Sequence, residues 1–348
     1  MEAVYVLEPG SYLRREGESL KVIKENRVIE QIPAVGLKKL TLIGYISLSG
    51  GVLDFLITSQ IETVFMTPTG RFRARLVLDE HRHVALRKAQ YTLLGDPAFA
   101  LKTAKIIVRG KLENMTRFLL LRSRQVGDIS LKEAAVKIRA IKAHVDEATD
   151  LEAVRGMEGL ASRVYFESFP TLIRTKDFCF SGRNKRPPRD PINALLSFVY
   201  TMLTNEVLSA VKAGGLDPYL GALHEVSYGR PSLACDLVEE YRSFLGDRMV
   251  LGLVNKKAIR PDDFVYRKNA PSNFVDEEEM KAKRPVEMKP NVSRVFISAY
   301  EEMMKRRIKY THMNKKITYR WMIMQQARSF SRYLRNPENE YKPFLWER

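Results

Sequence analysis

Apolar and polar residues alternate along the first part of the chain, from Ala3 to about Leu78, and β-branched residues are frequent there. A period of two is typical of strands that bury one face. Strands are predicted in AVYVLE, SYLRREG, SLKVIKE, RVIEQIP and KKLTLIG. Ser49 is expected to cap a short helix through Ser59, and a hairpin is expected around residues 67–70. Residues 1–82 are therefore predicted to form a small, mainly β domain.

From Ala85 onward, apolar residues recur at every third or fourth position, which predicts α-helices. Ser130 and Glu133 have the spacing of a capping box at the start of one of them. Two late helices are predicted at residues 291–310 and 315–334. The predicted fold class is therefore two-domain α+β, with the small N-terminal β domain followed by a larger all-α catalytic domain over residues 83–348.

The composition indicates a globular protein with a polyanionic partner. Lysine and arginine total 58 against 41 acidic residues, so the formal net charge is +17, and 45% of the residues are hydrophobic. This excess favours nucleic acid, with a membrane surface as the competing partner. The longest apolar runs, such as residues 194–203, are too short to span a bilayer, and the N-terminus lacks a secretory signal pattern. No membrane association is expected.

The chain has two cysteines, Cys179 and Cys235, which lie far apart and outside any CxxC pattern. Each has apolar neighbours in the sequence, so both are predicted to be buried thiols. Unpaired thiols are typical of reducing compartments, and a cytoplasmic location is predicted.

Candidate metal ligands are concentrated in residues 219–242, which contain His224 and three carboxylates. Asp236, Glu239 and Glu240 have the spacing i, i+3 and i+4, which places them on one face of a predicted helix. Like charges at this spacing repel each other, so the face is either solvated or close to a cation. Imidazole and carboxylates together suit Mg²⁺ or Mn²⁺.

A basic turn at Gly229-Arg230-Pro231 precedes this helix, and Ser232 is expected to be its N-cap.

An earlier helix, LEAVRGMEGLASRVYFESF, contains two glycines in its interior, on either side of Glu158. Each costs roughly 1 kcal/mol relative to alanine, so we expect another group to approach this backbone closely. Glu158 either binds a metal beside a phosphate backbone or pairs with an arginine in a packed helix. The same stripe of the helix contains Arg155, Ser162 and Tyr165.

A Pro-containing basic loop, SGRNKRPPRDP, follows Phe178. Clustered arginine and lysine on such a loop suit phosphate contacts that position nucleic acid without reading its sequence, although a solvated loop remains the alternative. A helix is predicted to begin at Asp190-Pro191 and has an asparagine in its first turn. The candidate DNA-binding residues are Arg155, Tyr165, Arg183, Lys185, Arg186, Asn193 and Arg230.

Three motifs occur in order along the chain: GMEGLASRVYF, DPINALLSFVYTML and LHEVSYGRPSLACDLVEEYR. As a set they resemble the CRISPR-associated endonuclease/integrase family, the universal spacer-acquisition protein. This resemblance implies that Glu158, His224 and Glu239 bind a divalent ion, Mg²⁺ or Mn²⁺. It also implies that Asp236 matches a neighbouring acidic position of the catalytic site.

The resemblance implies a metal-dependent DNA endonuclease and integrase. In the family, a free 3′-hydroxyl of a short DNA fragment attacks a phosphodiester of a CRISPR repeat, which inserts the fragment as a spacer. The implied partners are double-stranded DNA with 3′-hydroxyl ends, CRISPR repeat DNA, a second copy of the chain bound through the β region, and the small ferredoxin-fold CRISPR-associated protein. The alternative is a metal-dependent nuclease that acts on branched DNA repair intermediates.

Overall fold

The computed structural model describes residues 3–68, 70, 72–76, 83–184, 187–266 and 286–347. The chain divides into two compact units. The strand-rich unit comprises Met1–Glu80, Arg186–Thr201 and Pro261–Ser298, and the helical unit comprises His81–Lys185, Met202–Arg260 and Ala299–Arg348. A strand-rich N-terminal region followed by a helical region confirms the predicted fold class. The predicted division into residues 1–82 and 83–348 stays a prediction.

Two four-stranded sheets lie in the strand-rich unit. Their strands are β1 (Ala3–Val6), β2 (Tyr12–Glu16), β3 (Ser19–Lys24), β4 (Arg27–Pro33), β5 (Lys39–Ile43), β6 (Ser47–Leu48), β7 (Glu62–Met66) and β8 (Phe72–Leu76). The first sheet has the order β1-β5-β7-β8, with β1 and β7 parallel to β5 and β8 antiparallel to β7. The second has the order β4-β3-β2-β6, with β6 parallel to β2. The predicted hairpin is therefore confirmed as β7–β8.

Both sheets and one helix contribute to the core of this unit. Alternate residues of β1 point inward, so Val4 and Val6 are buried, as the period of two predicted. Helix α1 (Gly50–Thr58) adds Leu56 to the same cluster. The hydroxyl of Ser49 accepts a hydrogen bond from the amide of Val52, which confirms the predicted N-cap.

The remaining α-helices of the described chain lie between residues 84 and 335. They are α2 (Val84–Gly95), α3 (Pro97–Val126), α4 (Ile129–His144), α5 (Leu151–Ser168), α6 (Pro191–Ala213), α7 (Ser232–Val238), α8 (Arg248–Asn255), α9 (Pro290–Lys305) and α10 (Tyr319–Arg335). A π-helical segment, Arg242–Asp247, precedes α8. Helices α3, α4 and α5 pack against one another within the helical unit, where hydrophobic side chains such as Phe118 and Ile138 are fully buried.

Helix α4 begins differently from its prediction. Asp128 is the N-cap, and its carboxylate accepts a hydrogen bond from the amide of Ser130 at 2.7 Å. The prediction that Ser130 is the cap is wrong, because Gly127 adopts φ 76° and turns the chain two residues earlier. Ser130 instead donates its hydroxyl to the same aspartate.

The late region of the chain is not entirely helical. Between α9 and α10, strands β11 (Arg307–Tyr310) and β12 (Lys315–Thr318) form an antiparallel hairpin. The predicted helices at residues 291–310 and 315–334 are therefore wrong at the ends that face each other. Asn314 adopts φ 49°, a left-handed conformation that reverses the chain direction. Strands β9 (Phe264–Tyr266) and β10 (Val286–Met288) form an antiparallel pair.

By length and composition, α6 could cross a membrane, but 78% of its most apolar window is buried inside the protein, as in a core helix.

The prediction that both thiols are buried is wrong, since Cys179 is exposed and Cys235 is half-buried. Cys179 lies between Phe178 and Phe180 in an irregular segment where alternate residues point inward, and both phenylalanines are buried.

Candidate metal centre

Two carboxylates from distant parts of the chain meet at one ammonium group. The Nζ atom of Lys111, in α3, contacts Oε1 of Glu158 and lies 2.6 Å from Oε2 of Glu239. Glu158 projects from α5, and Glu239 immediately follows α7. The lysine side chain is only 8% exposed, so this cluster lies inside the helical unit. The structure therefore brings together two of the three predicted metal ligands.

Both carboxylates are held in the ionised form. Burial alone would raise the pKa of Glu239, but the charges of Arg242 and Lys111 outweigh it and lower this pKa below its ordinary value. Burial also opposes ionisation of Glu158, and the charge and hydrogen bond of Lys111 overcome it and lower the pKa to about 2. The partners of these two carboxylates are Lys111, Arg242 at 3.0 Å from Glu239, and the Ser162 hydroxyl at 2.8 Å from Glu158.

Asp236 orients the third predicted ligand, His224. Its fully buried carboxylate accepts hydrogen bonds from the amides of Ala222, Leu223 and His224 and lies 2.7 Å from Nδ1 of the His224 ring. An ionised carboxylate only accepts hydrogen bonds, so we assign the ring proton to Nδ1. Nε2 then carries a lone pair, the arrangement in which histidine binds metals. Asp236 therefore positions the imidazole.

A glycine makes this arrangement possible. A Cβ atom at position 221 would lie 2.4 Å from Oδ2 of Asp236 and 2.8 Å from the backbone carbon of Ser232. The loop before His224 can approach the aspartate because residue 221 has no side chain.

The predicted N-cap role of Ser232 is wrong, since its hydroxyl donates to the carbonyl of Glu225 and Pro231 occupies the cap position.

Glu240 does not share a face with Asp236 and Glu239, so that prediction is wrong. The helix ends at Val238, and the turn that follows sends Glu240 toward the C-terminal segment. The Glu240 carboxylate accepts hydrogen bonds from the hydroxyl of Tyr341 at 2.5 Å and the amide of Phe344 at 2.8 Å. Burial raises the pKa of Glu240 to about 7, against the opposite effect of these donors. Glu240 therefore fixes residues near the C-terminus.

The donor types fit a hard divalent cation: two ionised carboxylates converge on one cationic group, and an imidazole is oriented by a carboxylate. Oε2 of Glu239 is fully buried, and the Lys111 ammonium lies 2.6 Å from it. However, no group of three or more histidine, cysteine, aspartate or glutamate side chains is arranged to hold a metal among the residues described. The Lys111 ammonium lies between Glu158 and Glu239, where a shared cation would bind.

Two predicted DNA-binding residues make internal contacts. Arg155 donates to the carbonyl of Leu223 at 2.8 Å and pairs with Glu152 and Glu225, so it connects α5 to the loop before His224. Within the described residues Arg155 does not pair with Glu158, whose carboxylate contacts Lys111 and Ser162. The buried hydroxyl of Tyr165 donates to Asp247 at 2.7 Å. These side chains stabilise the helical unit around the cluster.

The other predicted DNA-binding residues lie in different places. Asn193 is buried in the strand-rich unit, and its amide group donates to Asp190 at 2.6 Å. Arg230 is half-buried in the loop after His224, and Arg183 bonds the carbonyl of Asn184. Lys185 and Arg186 lie outside the described residues.

The two glycines beside Glu158 have open surroundings. A Cβ atom at Gly156 or Gly159 would meet no atom within 4 Å, and both residues are exposed. The expectation of a close neighbour is therefore wrong for the described chain. The small residues leave this side of α5 accessible to an external molecule.

The central residue that the motifs did not indicate is Lys111. Its position could have been suspected from helical periodicity, because Ala104, Ile107 and Phe118 lie seven residues before, four before and seven after it. All three are buried, so Lys111 shares the apolar face of α3. A lysine on such a face requires acidic partners, but the sequence does not identify them.

Comparisons with known proteins establish the family. The family described as "CRISPR associated protein Cas1" matches residues 4–284. The "CRISPR-associated endonuclease Cas1 3" of Thermus thermophilus is 36% identical over 343 residues, which cover 98% of this chain and 96% of that protein. The chain belongs to the Cas1 family.

Two solved structures share the fold. A "Cas6-RT-Cas1--Cas2 complex" chain has a TM-score of 0.83 at 22% identity, and the match covers 99% of this chain but only 36% of that chain. A "Casposase bound to integration product" also has a TM-score of 0.83, at 20% identity, and covers 100% of this chain and 96% of that one.

Proposed function

We propose that the protein is a divalent-metal-dependent DNA endonuclease and integrase, which inserts short DNA fragments into a CRISPR array. Membership of the Cas1 family and the name of the Thermus relative support the nuclease activity. The casposase neighbour, which was solved with an integration product, supports the integration chemistry. The observation that carries the proposal is the convergence of Glu158 and Glu239 on one buried cation position.

The proposed reaction exchanges one phosphodiester for another. The oxygen of a 3′-hydroxyl forms a bond to phosphorus, the bond from phosphorus to the 3′-oxygen of the repeat breaks, and the hydroxyl proton passes to the departing oxygen or to solvent. The number of phosphodiester bonds is unchanged, so no external energy source is needed. A bound Mg²⁺ or Mn²⁺ would neutralise charge on the phosphate oxygens and activate the attacking or leaving hydroxyl.

Each residue of the cluster has a separate task in this proposal. Glu158 and Glu239 would hold the ion through their carboxylates, and His224 would bind it through Nε2. Asp236 keeps the proton on Nδ1 and fixes the plane of the ring. Arg242 remains paired with the other oxygen of Glu239 and prevents that side chain from rotating away.

The partners of this activity are also part of the proposal. The net charge of +17 supports binding to double-stranded DNA with 3′-hydroxyl ends and to CRISPR repeat DNA. The Cas6-RT-Cas1–Cas2 neighbour supports assembly with the small CRISPR-associated partner, for which a ferredoxin fold is expected. Homodimerisation through the strand-rich region and a cytoplasmic location complete the proposal.

A strand-transfer assay with a labelled short duplex and repeat-containing DNA tests the function. Glu158→Ala and His224→Ala should each reduce integration by at least about a hundredfold, because each removes a proposed metal ligand. Glu167→Ala is the matched control, because Glu167 is an exposed carboxylate on the same helix α5. It should retain wild-type integration.

Equal integration by the wild type and both ligand variants would contradict the proposal. Competition between repeat-containing and branched DNA separates the two candidate substrates. If branched DNA is cleaved preferentially and no strand transfer occurs, the protein is a repair-type nuclease instead.

A further inference from the structure

Two consecutive glutamates contact helix α3 at neighbouring positions, although only the first is a proposed metal ligand. Glu239 contacts the ammonium of Lys111, and the backbone carbonyl of Glu240 accepts a hydrogen bond from the side-chain amide of Asn114 at 2.9 Å. Lys111 and Asn114 are three residues apart, which is about 4.5 Å along the helix. Both glutamates lie in the turn between α7 and the π-helical segment. Asn114 therefore holds the backbone of this turn beside Glu239.

The same asparagine binds the C-terminal segment, residues 341–346. The Asn114 side chain is fully buried, and its amide also donates to the carbonyl of Phe344 at 2.8 Å. Its oxygen accepts a hydrogen bond from the amide of Trp346 at 2.9 Å. Both N–H groups and the oxygen of the side chain are thus used. One buried side chain joins the turn of Glu240 to the C-terminal segment.

The Glu240 carboxylate makes a second connection to the C-terminal segment. It accepts hydrogen bonds from the hydroxyl of Tyr341, from the amide of Phe344 and, at 3.2 Å, from the side-chain amide of Gln326. Glu240 is fully buried, so a carboxyl group that lost these donors would have to move or remain unsatisfied. The position of Glu240 therefore depends on the docked C-terminal segment, and Glu239 precedes it by one peptide bond.

One face of α3 is shaped to receive this segment. Gly110, Asn114 and Arg117 recur at intervals of four and three residues, so they lie on the same side of the helix. A Cβ atom at Gly110 would lie 2.6 Å from Pro343, and Arg117 donates to the carbonyl of Trp346 at 2.7 Å. The segment is irregular in structure, so its backbone groups depend on such side chains for hydrogen bonds.

We propose that Asn114 and the C-terminal segment position Glu239 for metal binding. The docked segment holds Glu240, and Glu240 keeps the neighbouring Glu239 carboxylate facing Glu158. This inference rests on the proposed function, because it takes Glu239 as a metal ligand. The coupling must be reciprocal: if the docked segment strengthens metal binding, a bound metal strengthens docking of the segment by the same factor.

Calorimetry with Mn²⁺ on the full chain tests the first direction of this coupling. Asn114→Ala and Tyr341→Phe should each raise the Kd for Mn²⁺ about tenfold, as loss of a group that orients a ligand does. Asn255→Ala is the matched control for the first variant, because the Asn255 side chain also bonds two backbone groups, the amide of Arg174 and the carbonyl of Leu172. It should change the Kd by less than about twofold.

Hydrogen exchange followed by mass spectrometry tests the reverse direction on the wild type. Saturating Mn²⁺ should slow exchange of the Phe344 and Trp346 amides about tenfold relative to EDTA, because both amides donate to Glu240 or Asn114. Peptides from β2 and β3 are the internal control and should exchange equally in both conditions. A segment that only stabilises the fold would show no dependence on Mn²⁺.

The proposal is overturned if Asn114→Ala and Tyr341→Phe bind Mn²⁺ as tightly as Asn255→Ala, or if Mn²⁺ leaves exchange of the two amides unchanged. Thermal unfolding verifies that the variants fold. If Asn114→Ala does not fold, exchange in the wild type decides the inference without it. A wild type that shows the Mn²⁺-dependent protection but fails in strand transfer contradicts the proposed function alone.

Discussion

The Nζ atom of Lys111 lies 2.6 Å from Oε2 of Glu239, and both side chains are more than 90% buried. The same ammonium contacts Glu158, so one lysine balances two carboxylates that are distant in the sequence. Removing one partner of a buried ion pair leaves an uncompensated charge, at a typical cost of roughly 3–5 kcal/mol. Lys111 therefore stabilises the two carboxylates in a position where a divalent ion would also bind.

Lys111→Met should increase the affinity for Mn²⁺ by at least about tenfold, because an ammonium and a divalent ion between the same carboxylates repel each other. Titration calorimetry measures the affinity directly and does not depend on catalysis. Lys102→Met is the matched control, since Lys102 is exposed on the same helix α3. A weaker affinity in Lys111→Met would show that the lysine assists the metal.

Acid should destabilise the helical unit through Glu158. The pKa of this carboxyl is about 2 in the folded protein and 4.5 in its ordinary state, so ionised Glu158 stabilises the fold above pH 4.5. This contribution is lost as the pH falls from 4.5 to 2 and amounts to about 3 kcal/mol. Urea unfolding can be followed by the fluorescence of Trp321 and Trp346, both in the helical unit. Glu158→Gln should lack this part of the pH dependence, and an unchanged profile would refute the assignment.

Asp236→Asn should weaken Mn²⁺ binding by about 10- to 100-fold, because the imidazole of His224 loses its charged acceptor. A double-mutant cycle distinguishes positioning from direct coordination. If Asp236 acts through the ring, the substitution has no further effect in a His224→Ala background. An additional loss of the same size in that background would make Asp236 a ligand in its own right.

Replacement of glycine by alanine should have opposite effects on protein stability at two helical positions. Gly159→Ala should stabilise the protein by roughly 0.5–1 kcal/mol, because a Cβ atom there meets nothing within 4 Å and alanine favours the helix. Gly110→Ala should destabilise it, since its Cβ atom would lie 2.6 Å from Pro343. Thermal unfolding measures both. If DNA approaches α5 closely, Gly159→Ala should also weaken DNA binding, and equal Tm shifts at both positions would contradict the packing described.

The pattern of neighbouring residues was enough to predict the early strands and the first helix cap. The period of two identified β1 to β5, and the Ser49 cap followed from a serine that precedes an apolar run. The same reasoning missed β11 and β12, because each strand is four residues long and adjoins a helix with a similar apolar content. Asn314 at positive φ is the physical cause of that hairpin, and asparagine also occurs in many other conformations.

For the candidate site, the motifs indicated the residues but not their partners. Glu158, His224, Asp236 and Glu239 were all predicted, and the structure brings Glu158 and Glu239 together and joins His224 to Asp236. Helical spacing placed Glu240 beside Glu239, because the spacing rule assumes that the helix continues beyond Val238. Lys111 was missed because its partners come from distant parts of the chain, and no spacing within α3 encodes them.

The contacts of the extended C-terminal segment limit where the chain can be shortened or fused to another protein. Tyr341 and Phe344 both bond Glu240, the peptide neighbour of a proposed metal ligand, and Trp346 stacks on Phe244 at 5.0 Å. A stop codon after Arg335 would leave the Glu240 carboxyl without these two donors and would expose an aromatic surface next to the proposed metal centre. Engineered fusions therefore need a spacer that begins beyond Trp346, and shortened versions of the gene are expected to yield insoluble or inactive protein.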